Sequence, residues 1–322
     1  MGYEAWIHTG VMLSAAIIGL CIGSFTDSGD LAASLIEPFL MLMLFLVFLS
    51  VDLGRFRESF SNVGFLSSAV LINFVWTPIL AYILGIMFFN GSIDLRIGLI
   101  MLLVTPCTDW YLVFTAVSKG NVSLSSTLLP INLTLQILLM PVYLLVFMGQ
   151  SADFDTVSML GSMVFVLLIP FLGAMTVKLL SLRVSSVEGF RGTLDDNCDN
   201  LQLFFLCLAI VSMFASESQT LIDNLDMMFT MVIPLMIFFV VSYVLSSAVS
   251  RAQGYSYDDT TSLIFTTMAR NSPLSLAIAV AVFPDRPLIA LVLMIGPLIE
   301  LPILSVTSNL RLSRRGEALP VE

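Results

Sequence analysis

The chain has 322 residues, of which 58% are hydrophobic and only 11% are charged, and its mean hydropathy is +1.00. A soluble domain carries about 25% charged residues, and apolar runs of about 20 residues recur along this chain, which excludes a soluble enzyme and a disordered chain. The 13 basic and 23 acidic residues also argue against a phosphate-backbone partner, so no nucleic acid is expected. The composition indicates an integral membrane protein.

Hydropathy predicts ten membrane-spanning segments. They are helices, because only a helix satisfies its own backbone in lipid and the alternating polarity of transmembrane β-strands is absent. The start of the chain lacks the basic region of a secretory signal, so the first span is expected to remain. The predicted spans are 9–25, 32–50, 66–89, 95–118, 123–149, 157–181, 200–215, 227–249, 259–283 and 287–309.

The basic residues separate between alternate loops. Arg96 and Arg286 lie in one set of loops, and Arg270 lies within a span. Loops rich in Lys and Arg are cytoplasmic, and an even number of spans then places both termini in the cytoplasm, in a cell (inner or plasma) membrane. The set assigned to the cytoplasm is Arg55, Arg57, Lys119, Lys178, Arg183, Arg191, Arg251, Arg311, Arg314 and Arg315.

The fourth and fifth spans align without a gap with the ninth and tenth. The offset is 164 residues (271 minus 107), which places Cys107 against Asn271 and Gln136 against Glu300. Each half then contains five spans, and an odd number inverts the second copy in the bilayer. The predicted fold is an all-α integral membrane protein of ten transmembrane helices in a 5+5 inverted repeat, with residues 1–155 as the first repeat and 156–322 as the second.

Two of the spans contain a polar interruption with a proline. TPCTD follows Val104, and RNSP follows Ala269. Proline removes a backbone donor and disfavours helix at the residue before it. Unwound backbone at this depth persists only when it is buried in protein or lines a cavity. A single interruption is equally well read as an ordinary proline kink, but two at equivalent positions favour a binding site.

Ionisable residues inside the spans are costly in lipid. Asp109 and Arg270 lie in the two interruptions, and we expect them to form an ion pair where the interruptions cross. One reading is that the pair only neutralises two buried charges. In the other, Arg270 presents a positive charge to an anion or polar oxyacid, or takes the place of a coupling cation.

Two further side chains in the spans have chemistry that suits transport. Glu300 has no basic partner on its own helix, and a buried carboxyl group of this kind can take up and release a proton; the alternative is a protonated Glu bonded to a neighbouring helix. Cys107, beside Thr105 and Thr108, offers a soft thiol ligand for a metalloid hydroxide, although a small buried Cys is more often packing. Asn73, Asn132, Gln136 and Asn271 are equally plausible as helix–helix contacts.

The motifs resemble those of the bile acid:sodium symporter superfamily, most closely its arsenite-efflux (arsenic resistance protein) branch. They are PCTDWYLVF, LLPINLTLQILLMPVY, ARNSPLSLAIAVA and IGPLIELP. The resemblance implies a core of spans 3–5 and 8–10, a panel of spans 1, 2, 6 and 7, and a substrate site where the broken fourth and ninth helices cross. It also implies functional roles for Cys107 and Glu300, which match the cysteine and glutamate of the arsenite branch.

One departure from the family bears on coupling. Sodium-coupled members carry an acidic residue and a Gln-Asn pair in the ninth span, where this chain has Thr266, Arg270 and Asn271. Arg270 would repel a bound cation, which argues against sodium.

The sequence therefore predicts a secondary active transporter that exports arsenite or a related metalloid oxyacid in exchange for protons. Cys107, Thr108, Asn271 and Arg270 would contact the substrate, and Glu300 would carry the proton. The alternative is a sodium-coupled symporter of an organic anion. A receptor or scaffold leaves the buried charges unexplained, and a channel does not need broken helices in an inverted repeat. Neither an enzyme activity nor a cofactor or resident metal is expected, and no ATP-binding GxxxxGK[ST] motif is present.

Overall fold

The computed structural model describes residues 2–26, 29–50, 62–108, 110–148, 156–181, 185–223 and 225–318. Within these ranges the secondary structure is helical, apart from one isolated antiparallel β-bridge between Pro106 and Arg270. The helices are α1 (Gly2–Phe25), α2 (Gly29–Ser50), α3 (Val63–Leu71), α4 (Thr77–Phe89), α5 (Ile93–Val104), α6 (Trp110–Val117), α7 (Val122–Thr127), α8 (Leu129–Met148), α9 (Thr156–Ser181), α10 (Ser185–Ser216), α11 (Ser218–Asp223), α12 (Leu225–Gln253), α13 (Tyr257–Met268), α14 (Ser272–Val282) and α15 (Pro287–Ala318).

These helices coincide with the predicted spans to within a few residues at most ends. The fourth span is divided into α5 and α6, and the ninth into α13 and α14. Five helical segments of the described residues are long and apolar enough to cross a membrane, which supports a multi-pass membrane protein. They are Gly29–Leu49, Val63–Phe89, Val122–Phe147, Phe229–Gln253 and Pro287–Arg315, and shorter apolar helices cover Leu13–Phe25, Leu167–Ser181, Asn200–Ser216 and Ser272–Val282.

The helices pack in two groups. In the first, α10 packs along α1 and α2, and α2 also packs against α9. In the second, α5 packs against α4 and α15, and α12 packs against α13. Helix α14 belongs with α15 but also contacts α2 and α9. The C-terminal half of the second broken span therefore lies where the two groups meet.

Small residues bring α5 and α15 close together. A methyl group on Gly98 would lie 2.7 Å from Cβ of Val292 and 3.1 Å from the main-chain oxygen of Ile289. On the facing helix, a methyl group on Gly296 would lie 2.7 Å from a methyl carbon of Leu102. Membrane helices associate largely through such van der Waals packing at small residues. The approach fixes α5, and the interruption that follows it, against the helix that carries Glu300.

We expect Gly98→Ala to destabilise the protein, because its added methyl group meets a branched Cβ and a main-chain oxygen, neither of which can rotate away. Overpacking of this kind costs about 1–3 kcal/mol. Thermal unfolding of the detergent-solubilised protein measures the effect. Gly161→Ala in α9 is the matched control, because that position has no heavy atom within 4 Å. Equal melting temperatures for the two variants would contradict the close approach.

Candidate functional site

The two broken spans are unwound over short extended segments. Thr105 has φ −106° and ψ 103° after α5, and Ala269 has φ −73° and ψ 138° after α13. Pro106 disfavours helical geometry at Thr105, which ends α5. Pro273 lies in the first turn of α14, where the missing N–H is not needed, so it favours the start of that helix. Proline thus ends one half-helix and begins another.

The two interruptions lie side by side and share backbone hydrogen bonds. The Cys107 N–H donates to the carbonyl of Ala269 at 3.0 Å, and the Asn271 N–H donates to the carbonyl of Thr105 at 2.8 Å. These two bonds form the bridge between Pro106 and Arg270. Each unwound segment thereby satisfies polar groups of the other, which unwound backbone at membrane depth requires.

The Arg270 side chain is buried, with 2% of its surface exposed, and its guanidinium is surrounded by oxygen atoms. The ring of Phe238 lies on the guanidinium, with Cζ 5.1 Å from the ring centroid. A buried cation is tolerated only when its donors are paired, and each of the three guanidinium nitrogens of Arg270 donates a hydrogen bond. The acceptors are the carbonyl of Leu103 at 2.9 Å, Oδ1 of Asn73 at 3.0 Å, the carbonyl of Met268 at 3.3 Å, and the carbonyl of Thr267.

A π-helical turn positions Asn73 for this contact. The turn covers Ile72–Trp76 between α3 and α4. It precedes Pro78, which has no N–H to donate to the carbonyl of Phe74, and the hydroxyl of Tyr143 donates to that carbonyl at 2.6 Å. Single π-helical turns are frequent at functional sites. Here the turn holds a fully buried carboxamide against the Arg270 guanidinium.

Glu300 contacts the main chain of the second interruption. The Arg270 N–H donates to Oε1 of Glu300 at 2.9 Å, and the glutamate is 3% exposed. Its partner therefore comes from the other broken span rather than from its own helix. A carboxylate that accepts an N–H is a strong acceptor, so Glu300 helps to hold the interruption in its extended form.

Asn271 connects the two interruptions through its side chain. Its Oδ1 accepts the N–H of Leu274 at 3.2 Å and so caps the start of α14. Its Nδ2 donates to the hydroxyl of Thr108 at 3.3 Å. Thr105 and Ser275 add a second link, with hydroxyl oxygens 2.7 Å apart. Polar side chains of both broken spans therefore share one buried region.

A cavity of about 320 Å³ adjoins the interruptions. Its polar lining includes Cys107, Arg270 and Asn271 on one wall and Gln202 from α10 opposite. Binding sites of this kind combine an apolar wall with a few polar groups, and this volume lies at the small end of their range. The other lining residues are Met43, Leu44, Val47, Trp110, Leu112, Val113, Leu129, Leu133, Leu203, Leu206, Pro273 and Leu274.

The sequence of the chain matches a model of a known protein family. A sequence model of the Sodium Bile acid symporter family matches residues 37–224, which is more than half of the chain. The chain belongs to the Sodium Bile acid symporter family. This confirms the resemblance seen in the motifs, and it identifies a membrane transporter rather than an enzyme.

Two relatives are similar to this member of the family over most of its length. The arsenical-resistance protein Acr3 of Corynebacterium glutamicum is 24% identical over 275 residues, which cover 82% of this chain and 74% of the relative. The uncharacterized protein YbaS of Bacillus subtilis is 23% identical over 291 residues, covering 89% of this chain and 90% of the relative. Both alignments cover more than four fifths of this chain.

The structure brings together most of the residues that the sequence singled out. Cys107, Arg270 and Asn271 line the cavity, Thr108 is bonded to Asn271, and Glu300 is bonded to the main chain of Arg270. The predicted ion pair between Asp109 and Arg270 stays a prediction, since Asp109 lies outside the described residues. Within the described part of the chain, no group of three His, Cys, Asp or Glu side chains is arranged to hold a metal ion.

Three residues at the candidate site were not predicted from the sequence. The sequence predicts Asn73 only as a helix–helix contact and predicts no role for Phe238 or Gln202. Pro78 is a sequence feature that could have drawn attention to Asn73, because a proline disturbs the helix that carries this residue. Gln202 could have been predicted as well, because a carboxamide is unusual in an apolar span. The contact of Phe238 with Arg270 could not be predicted, because a phenylalanine in a membrane helix is expected to pack against other apolar side chains.

Proposed function

We propose that this protein exports arsenite or a related metalloid oxyacid in exchange for protons, by alternating access. The observation that carries the proposal is a thiol, Cys107, in a small cavity at the meeting point of two unwound segments. Thiolates are soft ligands suited to a thiophilic metalloid. The similarity to an arsenical-resistance protein supports the same substrate class.

The proposed architecture is ten transmembrane helices in a 5+5 inverted repeat, residues 1–155 and 156–322. The bounds of Ile93–Val104 and Tyr257–Met268 support it, because both ends differ by the predicted 164 residues (257 minus 93). The backbone bonds support it too: at the same offset, the bond from Cys107 to Ala269 maps onto the bond from Asn271 to Thr105. A two-fold axis relates contacts in this self-complementary way.

The proposed movement is of a core against a panel. The panel comprises α1, α2, α9 and α10, which pack on one another, and the core comprises the helices of the remaining spans. The cavity supports this division, since α2 and α10 form one wall and the interruptions form the other. Sliding of the core would expose the interruptions to one side of the membrane and then to the other. The distribution of basic residues supports cytoplasmic termini in the cell membrane.

In the proposed site, each polar group has a distinct role. The Cys107 sulfur replaces one hydroxyl group of the metalloid, which leaves as water with the thiol proton, and water reverses this exchange on release. Asn271 and Thr108 hydrogen-bond to the remaining hydroxyl groups. Arg270 lines the crossing, but its guanidinium donates to oxygens of the protein. We therefore assign it the role of a fixed cation, held where a mobile cation would otherwise neutralise the carbonyl dipoles.

Glu300 is the proposed proton carrier. Its carboxylate accepts the Arg270 N–H, and protonation would weaken that bond because a neutral acid is a poorer acceptor than a carboxylate. Taking up a proton therefore loosens the main chain beside the substrate, and releasing it tightens the same chain. This couples the proton to the geometry of the site.

A sodium-coupled symporter of an organic anion is the second candidate, and the family description favours it. It requires sodium sites built from oxygen ligands. The carbonyls of Leu103 and Thr267 and the Asn73 carboxamide are such ligands, but they accept hydrogen bonds from Arg270. Occupation of these oxygens by a guanidinium supports coupling to protons instead.

Transport by purified protein in liposomes tests the proposal. We expect a gradient of pH to drive accumulation of arsenite or antimonite, with the same rate in sodium and in choline. Organic anions are expected to move no faster than in empty liposomes. Strict dependence on sodium, together with uptake of an organic anion and no metalloid movement, would establish the second candidate instead.

Glu300→Gln is expected to uncouple substrate movement from the pH gradient. The amide oxygen can still accept the Arg270 N–H, so the interruption is retained, but the side chain no longer exchanges a proton. One pH unit is equivalent to about tenfold accumulation per exchanged proton, and the variant should show none while still exchanging labelled substrate at equilibrium. Glu217→Gln, in the turn after α10, is the control. Unchanged pH-driven accumulation in Glu300→Gln would remove this role.

A further inference from the structure

A second cavity opens between α12 and α15, away from the interruptions. Its volume is about 350 Å³, and its lining is almost wholly apolar. Val240 and Val306, which line it, are exposed, so the cavity is a groove open to the surface of the protein. The lining residues are Met236, Phe239, Val240, Tyr243, Met268, Pro302, Ile303, Val306, Thr307 and Leu310.

The groove extends over about one leaflet of a bilayer. Along α15 it covers Pro302 to Leu310, and Arg314 follows one turn later. The twelve residue steps from Pro302 to Arg314 span about 18 Å of helix, and half of the hydrocarbon core of a membrane is about 15 Å thick. Its inner end reaches Met268, the last residue of α13 before the second interruption. The groove therefore runs from the level of the interruptions to the end of α15 where basic residues collect.

Basic side chains lie at the end of the groove nearest the C-terminus of α15. Arg314 is exposed, and its Cζ lies 5.8 Å from the centroid of the Tyr243 ring. Tyr243 lines the groove from α12. Arg251 follows in the last turn of the same helix. An occupant with an apolar body and an anionic head would match both the apolar lining of the groove and its basic end.

We propose that this groove binds an anionic phospholipid from the leaflet on the Arg314 side. One acyl chain lies along α12 and α15, and the phosphate contacts the exposed Arg314 guanidinium. Both helices are long and apolar enough to cross the membrane, so the groove faces hydrocarbon, where acyl chains are the most abundant molecules. Basic pockets between membrane helices bind anionic headgroups, and a flexible chain fills an irregular apolar groove without requiring a complementary protein surface.

Native mass spectrometry of the purified protein tests the headgroup. The protein is exchanged into detergent containing equal amounts of phosphatidylglycerol and phosphatidylcholine, and the bound lipid is counted. We expect phosphatidylglycerol to be preferred. Arg314→Gln should lower that preference about fivefold, as expected for loss of one basic contact to an anionic lipid. Equal binding of the two lipids by the unaltered protein would overturn the proposal.

Arg315→Gln is the matched control for the headgroup. It makes the same charge change at the neighbouring position, but Arg315 Cζ lies 5.4 Å from the Tyr257 ring, and the side chain bonds to Lys119 O on another part of the molecule. The control should keep the preference for phosphatidylglycerol. An equal loss in both arginine variants would indicate a general effect of surface charge and would also overturn the proposal.

Filling the groove tests the acyl chain. Val306→Trp places an indole at its 57%-exposed edge and should abolish retention of phosphatidylglycerol. Val146→Trp in α8, at a 68%-exposed position outside the groove, should not. The same mass spectra show whether the protein is a monomer or a dimer. If the unaltered protein is a dimer and Val306→Trp dissociates it, a second copy of the chain covers the groove. The lipid proposal would then be wrong.

Discussion

Arg270→Gln is expected to produce a protein that is less stable and inactive in transport. The guanidinium donates to oxygens of Asn73, Leu103, Thr267 and Met268. A glutamine has two N–H groups and cannot reach all four. Each buried acceptor left without a donor costs roughly 1–3 kcal/mol, so the melting temperature should fall clearly. Because the same side chain connects α13 to the helix before the first interruption, we expect transport to fall at least about tenfold, as for a misplaced binding group.

The vacated oxygens should also acquire an affinity for a cation. Carbonyl and carboxamide oxygens are the ligands that hard cations prefer. We therefore expect sodium to raise the melting temperature of Arg270→Gln more than choline does at equal ionic strength, whereas the unaltered protein should respond equally to both. The same response in variant and unaltered protein would contradict the role of Arg270 as a fixed cation.

Arg311→Gln is the matched control for these measurements. Arg311 is also buried, on α15, and donates to the hydroxyl of Thr261 and the carbonyl of Tyr257. Its loss should lower the melting temperature without creating a sodium response, and transport per folded molecule should be retained. Equal loss of transport in both variants would show that Arg270 contributes only through stability.

Cys107→Ala is expected to abolish arsenite resistance in a sensitive host. The thiol lines the cavity and is the soft ligand at the crossing. Alanine leaves the backbone bond from residue 107 to Ala269 intact, so the variant should insert and fold. In liposomes we expect arsenite transport to fall by more than about tenfold, the equivalent of 1.4 kcal/mol of lost binding.

Cys207→Ala is the control for the thiol, since Cys207 is half-buried on α10 and does not line the cavity. It should retain resistance and transport. Cell growth across arsenite concentrations, at equal membrane expression, provides the first readout. Retained resistance in Cys107→Ala at that expression would remove the thiol from the mechanism, although the fold and the coupling prediction for Glu300 would be unaffected.

Helix positions and interruptions were predictable because their causes are local. A run of apolar residues must be helical in lipid wherever it lies in the fold, and Pro106 acts on Thr105 whatever lies nearby. The structure therefore ends α5 and α13 at the predicted interruptions. The predictions of Cys107 and Asn271 followed from the same local reasoning, since polar residues in an interruption at membrane depth need polar surroundings.

Partners across the fold were not predictable to the same degree. Nothing in the sequence connects Arg270 with its acceptors Asn73, nearly 200 residues away, and the carbonyl of Leu103. Glu300 had no basic partner on its own helix, and its partner proved to be the main-chain N–H of Arg270. Main-chain carbonyls and N–H groups have no signature in a sequence, because every residue carries them.

By itself, the sequence determined that this protein is helical, lies in a membrane, is broken at two places and carries a thiol, a guanidinium and a carboxyl group within its spans. Only the tertiary structure decided that the two breaks pair with each other, that Arg270 is enclosed by oxygens and that α2 and α10 close the cavity. The physical reason is the range of the interactions. Hydropathy and proline sterics act within a few residues of the chain, whereas a cavity and an oxygen cage exist only when distant segments have packed together.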